Sequence, residues 1–491
     1  MDTQTVIKDS TAADVAVKEM ERKQFVKMTQ TSIPRLVIGL GIPTMLNMMV
    51  TSLYNLADTL FVAGLGERAM GAVNVVLSLM SIIQAIGFTF GMGSGSIVSR
   101  LLGSRKREEA DEVSSSAFFS VGLIGALIMA FGLIFLTPLM QLLGAPQQTD
   151  GGLTTLDYAK EYSTYILIAA PFMCMSYVMN NVLRAEGKAV LSMLGLITGA
   201  VVNVVLDPIL IYGLQMGITG AAVATAFSQI LSFTILLILF LSGKTIIRFK
   251  LRSISRHFGV YANVIATGFP SFCRQILASL CTVLLNWAVM PYDGALAALG
   301  VVQKVFMLAF SISLGIGQGY QPVLGYNYSA KRYDRVRSAY LFTLVFSSVL
   351  MSFFAVICAI FAPAIMYWFL PTSPNAAAIG EVSLRLQCIG MPLLPLNFMI
   401  SITYQSVGSK AIASVLSVSR QGLFYIPAVL TLPLVWGLFG VQSCQTVSDI
   451  CSFLFAIPFT MYFFRKLKKL QNGEIVEKEI GQVRDELSEA N

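Results

Sequence analysis

Two acidic residues carry most of the chemistry this sequence can offer. Asp58 closes a polar stripe of Asn47, Thr51, Asn55 and Asp58, whose spacings of 4, 4 and 3 put all four on one helical face. Asp207 follows Asn203 by one helical turn, so these two also share a face. Both sets lie inside long apolar runs. An ionisable group at the centre of a bilayer costs on the order of 2.5–3.5 kcal/mol on insertion scales, so each acid is expected to face a bundle interior or a water-filled cavity. Carboxylates with amide neighbours can hold Na⁺ through oxygen ligands, or exchange a proton as mutual repulsion raises one pKa. Asp449 is a third mid-span acid. The plainer alternative for all three is a hydrogen bond between helices.

The elements that position these residues are membrane spans. The chain has 491 residues, is 55% hydrophobic and only 12% charged, where soluble domains carry about 25% charge. Its mean hydropathy is +0.72. Apolar runs of roughly 20 residues, each able to cross a bilayer as a helix, recur between the first and last polar segments. Counting them predicts twelve spans. Pro43 lies in the first, upstream of Asp58, and permits a bend there.

The pattern is stated twice. Ala69-Met70-Gly71-Ala72-Val73 returns as Ala298-Leu299-Gly300-Val301-Val302, Gly91-Met92-Gly93-Ser94-Gly95 as Gly315-Ile316-Gly317-Gln318-Gly319, and Ser104-Arg105-Lys106-Arg107 as Ser329-Ala330-Lys331-Arg332. Duplicated hydrophobic halves are a signature of secondary transporters. The paired glycines read as sites of close helix approach. Six spans per half is an even number, so the repeats are parallel. The expected organisation is a polar N-terminus (1–31), a first lobe (32–243), a linker (244–257), a second lobe (258–466) and a polar tail (467–491). Both ends are expected to lie outside the bundle, with Glu474 to Glu489 as a short surface helix.

The acids do not repeat. The counterpart of Asp58 falls at Leu285 to Trp287, that of Asp207 at Ala428 or Val429, and Asp449 matches Gln229. Ion coupling is therefore expected in the first half only. The second half has bases instead: Arg274, Lys304 and Arg420. Snorkelling to a membrane face or structural pairing is the plain expectation for them; contact with an anionic substrate group is the sharper one.

The net charge of +8 does not indicate nucleic acid. Basic residues cluster at 105–107, 244–256, 331–337 and 465–469, and are sparse in the intervening loops. That alternation is the positive-inside rule, which puts both termini and the linker in the cytoplasm. Gly243-Lys244-Thr245 resembles the end of a phosphate-binding loop, but position 238 is Ile and no strand precedes it, so ATP binding is rejected. His257 is the sole histidine, and the seven cysteines form no CxxC. A structural metal, a cofactor or a disulfide framework is not expected. A membrane-embedded enzyme would need a catalytic group that is not visible.

These residues together resemble the multidrug and toxic compound extrusion (MATE) family. The resemblance rests on Asp58-Thr59-Leu60-Phe61-Val62-Ala63-Gly64, Arg184-Ala185-Glu186-Gly187-Lys188, and above all Leu206-Asp207-Pro208-Ile209-Leu210-Ile211-Tyr212-Gly213 with Gly220-Ala221-Ala222 and Ala224-Thr225-Ala226. It is nearest the prokaryotic DinF-like and MepA-like members. The resemblance implies an all-α, V-shaped fold of twelve transmembrane helices in two six-helix lobes, in the cell membrane. It implies a monomer that exports small amphipathic, often cationic molecules past membrane lipid in exchange for H⁺ or Na⁺. It assigns ion coupling to Asp58, Asn180, Asn203, Asp207 and Thr225, and bending of the first span to Pro43. Asn47, Thr51, Asn55, Asn286 and Arg274 are substrate or gating candidates. The NorM branch has acids in the second lobe where this chain has Asn286, which speaks against a second Na⁺ site. A flippase for a lipid-linked or anionic precursor, from the same superfamily, is the alternative.

Overall fold

The computed structural model describes residues 3–145, 154–371 and 373–474, and within α2 leaves some side chains, including that of Asn55, outside the description. The described chain is helical throughout. After α1 (Thr3–Gln30), the first lobe comprises α2 (Ile33–Ala63), α3 (Glu67–Gly103), α4 (Arg107–Ile134), the short α5 (Leu136–Leu142), α6 (Thr155–Ala185), α7 (Ala189–Pro208) and α8 (Gly217–Leu241). The second comprises α9 (Phe258–Val289), α10 (Ala295–Ser329), α11 (Tyr333–Phe369), α12 (Pro374–Gly390) with α13 (Leu394–Ser406), α14 (Lys410–Val418) and α15 (Ile426–Gln471). Eleven helical stretches are long and apolar enough to cross a membrane. The last, Lys410–Gln471, holds two crossings: Gly437 takes φ 56° and ψ −133° and breaks it. Only glycine enters that region without strain. The expected twelve spans in two lobes are therefore present.

The lobes meet where α2 crosses α10 and where α3 crosses α9. The repeated glycines explain how. A methyl group at Gly315 or Gly319 would run into the backbone of Met45 or Gly41, and one at Gly268 into that of Thr89. Ser52 and Ser311 hydroxyls join the lobes at 2.7 Å. Arg184 donates to Gln318, and Gln321 to Ser96. The glycine contacts and the Arg184 and Gln321 bonds lie in the halves of the helices nearest the basic loops, and the Ser52–Ser311 pair lies near mid-helix. Toward the other ends, apolar side chains stand exposed, among them Leu53, Leu280 and Trp287. The lobes are thus joined most closely toward the basic end.

One polar segment departs from expectation. Residues 1–30 do not lie clear of the bundle. Met28 and Thr29 are buried in α1, because the last turn of this helix packs across both lobes. Arg105 of the first lobe stacks over Phe25 at 4.3 Å, while Asn327 and Arg332 of the second donate to the carbonyls of Met28 and Thr29. Basic donors at a helix C-terminus satisfy carbonyls that have no partner within the helix. The linker is likewise held. Glu186, fully buried, accepts the amides of Ile246 and Ile247, both at 2.9 Å, and Asp111, Ser115 and Ser116 accept those of Arg248, Lys250 and Ser255. The expected tail helix from Glu474 to Glu489 falls, after its first residue, outside the described residues.

Candidate ion site in the first lobe

The site is built between α2, α6, α7 and α8. Thr154 and Asp157 form a reciprocal cap at the start of α6, which fixes that helix and puts Tyr162 two turns in. Gly195 and Gly199 let α7 lie directly on α8, against Ser228, Ser232 and Leu236. That close approach sets Asn203 beside Thr225: the Asn203 amide donates to the Asp207 carboxyl and to the Thr225 hydroxyl, each at 3.4 Å. Tyr162 and Thr225 hydroxyls lie 3.3 Å apart, and Tyr162 also stands near the Asp58 carboxyl. Asp58 and Asp207 are close enough to feel each other's charge. α7 ends at Asp207-Pro208 in a π-helical turn, Ile209–Gly213. Such turns are frequent at functional sites.

The electrostatics are one-sided. Asp207 is completely buried and Asp58 nearly so. One oxygen of each carboxyl, the Asn203 carbonyl oxygen and the Ser228 hydroxyl have no hydrogen-bond partner among the described residues. Neither acid has a Lys or Arg partner among the described residues. Burying an unpaired carboxylate is so costly that a site of this kind either takes up a cation or is neutralised. Every available ligand is oxygen, which suits a hard cation or a proton.

The structure gathers Asp58, Asn203, Asp207 and Thr225 from the sequence-derived set. It does not gather Asn180. That amide donates to the Ser192 carbonyl at 3.0 Å, and eighteen residues of α6 separate it from Tyr162, about 27 Å at the helical rise. Asn180 fastens α6 to the start of α7, at the other level of the lobe. Pro43 sits beside Gly41 and Thr44 at the α2–α10 crossing, not at the acids. Asn47 is buried with both amide atoms unpartnered, whereas the Thr51 hydroxyl turns back to the Asn47 carbonyl. Asn55 has its side chain outside the described residues, and Asn286 is exposed near the end of α9.

Three contributors were not expected from sequence. Tyr54 and Gln229 are hydrogen-bonded to each other and stand near both acids; Tyr162 is the third. Tyr54 lies four residues before Asp58 and Gln229 four after Thr225, so helical spacing offered a signal for both. Tyr162 had none.

In the second lobe Arg420 does not snorkel. Its Nε donates to Asp449 at 2.8 Å, Gln445 donates to the same oxygen at 2.8 Å, and the Asp449 side chain is fully buried. Arg420 lies on a second π-helical turn, Ser419–Tyr425. Arg274 is half-buried over Phe398, 5.3 Å from the ring centre, and Lys304 is exposed.

Comparison with known proteins agrees with this architecture. A family model described as MatE matches residues 43–209 and 270–430, one stretch in each lobe. The multidrug export protein MepA of Staphylococcus haemolyticus (strain JCSC1435) is 24% identical over 463 residues, 94% of this chain and 100% of the relative. MepA of Staphylococcus aureus (strain MRSA252) is 24% identical over 466 residues, 93% and 100% respectively. An outward-facing multidrug resistance MATE family transporter of the MOP superfamily superposes with a TM-score of 0.84 at 25% identity, covering 91% of this chain and 98% of that one. A MOP superfamily transporter from Pyrococcus furiosus, described as having a binding pocket of reverse polarity that suggests a different function, superposes with a TM-score of 0.83 at 25% identity and the same coverage. The matched stretches in both lobes and the shared twelve-span, two-lobe fold place the chain in the MatE family of multi-pass membrane transporters, to which it belongs.

Proposed function

We propose that this chain is a cation-coupled antiporter that exports small amphipathic, often cationic molecules by alternating access. The observation that carries this reading is the base-free pair of buried acids with unpartnered oxygens in the first lobe. H⁺ or Na⁺ would neutralise Asp58 and Asp207 from one side of the membrane and leave them on the other. Tyr162, Asn203 and Thr225 would tie the state of one carboxyl to that of the other. At a potential of ~100 mV, one inward charge supplies about 2.3 kcal/mol, roughly a 50-fold accumulation. The deciding experiment is ethidium efflux from proteoliposomes with pH and Na⁺ gradients imposed separately. Efflux that ignores both gradients would overturn the reading.

The basic loops support placing both termini and residues 244–257 in the cytoplasm of a cell-membrane monomer. Cysteine introduced at Lys250 should then react with an impermeant reagent from the inside only. A second reading, a flippase for an anionic or lipid-linked precursor, is favoured by the half-buried Arg274 and by the reverse-polarity pocket described for the Pyrococcus relative. Labelled-lipid translocation in vesicles separates the two.

A further inference from the structure

The second lobe encloses a cavity between α9, α10, α13 and the π-helical turn after α14. Two guanidinium groups line it, Arg274 and Arg420. They stand on one aromatic wall: Arg274 over Phe398, Arg420 over Phe306 and Phe310 at 5.2 and 5.5 Å, with Phe310 and Phe398 edge to face at 5.6 Å. The charges do not balance. Asp449 accounts for one edge of Arg420 only; the Nη2 of that guanidinium is buried and has no hydrogen-bond partner. Arg274 makes no ion pair among the described residues. A guanidinium offers five donors in a planar fork that matches a carboxylate or phosphate. The remainder of the lining is neutral: apolar at Leu394 and Leu416, hydroxylic at Ser401 and Ser417, and amide at Asn397 and Gln421.

We infer that this cavity is a second ligand site, opposite in polarity to the acid cluster, which receives the anionic group of an amphipathic molecule between Arg274 and the free edge of Arg420. The aromatic wall would take the apolar body. The site needs no gradient and does not depend on the export reading, since it lies in the other lobe and binding alone tests it.

The probe is radiolabelled cholate, a soluble steroid carboxylate, with its uncharged methyl ester as control, added to the full chain in phosphatidylcholine nanodiscs. Cholate should bind saturably and more tightly than the ester. Arg274→Gln should weaken cholate by at least about tenfold, as expected for loss of a charged hydrogen-bond partner, with Arg274→Lys weakening it less and ester binding equal in all three proteins. A second variant, Arg420→Gln with Asp449→Asn, removes the ion pair as a unit and should also weaken cholate alone. Replacing a third of the lipid with phosphatidylglycerol identifies the natural source. Displacement of cholate that requires Arg274 assigns the site to a lipid headgroup; no displacement assigns it to a soluble anion. Equal binding of acid and ester, no saturable cholate binding, or undiminished binding by Arg274→Gln protein that melts like the parent would overturn the inference.

Discussion

Both lobes bury carboxylates next to a π-helical turn, yet they treat them in opposite ways. In the second lobe Asp449 is answered within the protein by Arg420 and Gln445. In the first, Asp58 and Asp207 have only neutral groups beside them among the described residues; one oxygen of each acid, Asp449 included, lacks a hydrogen-bond partner, so the arginine is the difference. A built-in arginine is a permanent counter-charge. A missing one makes the counter-charge exchangeable, which is what coupling to an ion gradient demands. The repeat supplied two copies of one scaffold; under the proposed coupling, the copy that works with ions is the one that received no base.

The largest expected effect breaks the first lobe. Asp58→Asn or Asp207→Asn should abolish gradient-driven efflux in proteoliposomes, while the protein reaches the membrane and its melting temperature holds or rises, because an unpaired buried charge has been removed. Efflux at parental rates in both variants would end the comparison. The second lobe should respond with the opposite sign. Arg420→Gln leaves Asp449 buried without its counter-charge, at a cost of about 3–5 kcal/mol, read as a fall in melting temperature and yield. Adding Asp449→Asn should restore most of that loss, and a double-mutant cycle measures the pair directly.

Smaller effects sharpen the boundaries of the ion site. Tyr162→Phe, Asn203→Ala and Thr225→Ala each remove one neutral partner but neither charge. Each should shift the pH or Na⁺ dependence of transport by up to about tenfold, the worth of a single hydrogen bond, without erasing coupling. Asn180→Ala should do least. It loses a bond to the Ser192 carbonyl, costs about 1 kcal/mol of stability, and leaves ion-response curves superimposable on the parent's. A shifted curve would return Asn180 to the site.

Much of the fold was legible because bilayer physics is strict. Apolar runs announce spans, basic loops announce sidedness, and a duplicated pattern announces two lobes. The acids were legible for the same reason: Asp58 and Asp207 have no cheap place in a membrane. Partners recruited from other helices were harder to see. Tyr162 is one tyrosine among 17, and nothing in its local sequence says that it faces Asp58. Asn180 failed in the opposite direction, since resemblance supplied a residue type that the helical rise places a bundle's depth away. For Arg420, snorkelling and pairing stayed equally open because its partner lies 29 residues on, across the break at Gly437.

The first helix has one more consequence. The two lobes are parallel copies, so the basic end is built from the same end of each. α1 belongs to neither copy. By gripping Arg105 on one side and Asn327 and Arg332 on the other, it ties the two copies together at that end. Any motion that parts the lobes there must break these contacts, so a segment outside the duplication adds to its cost.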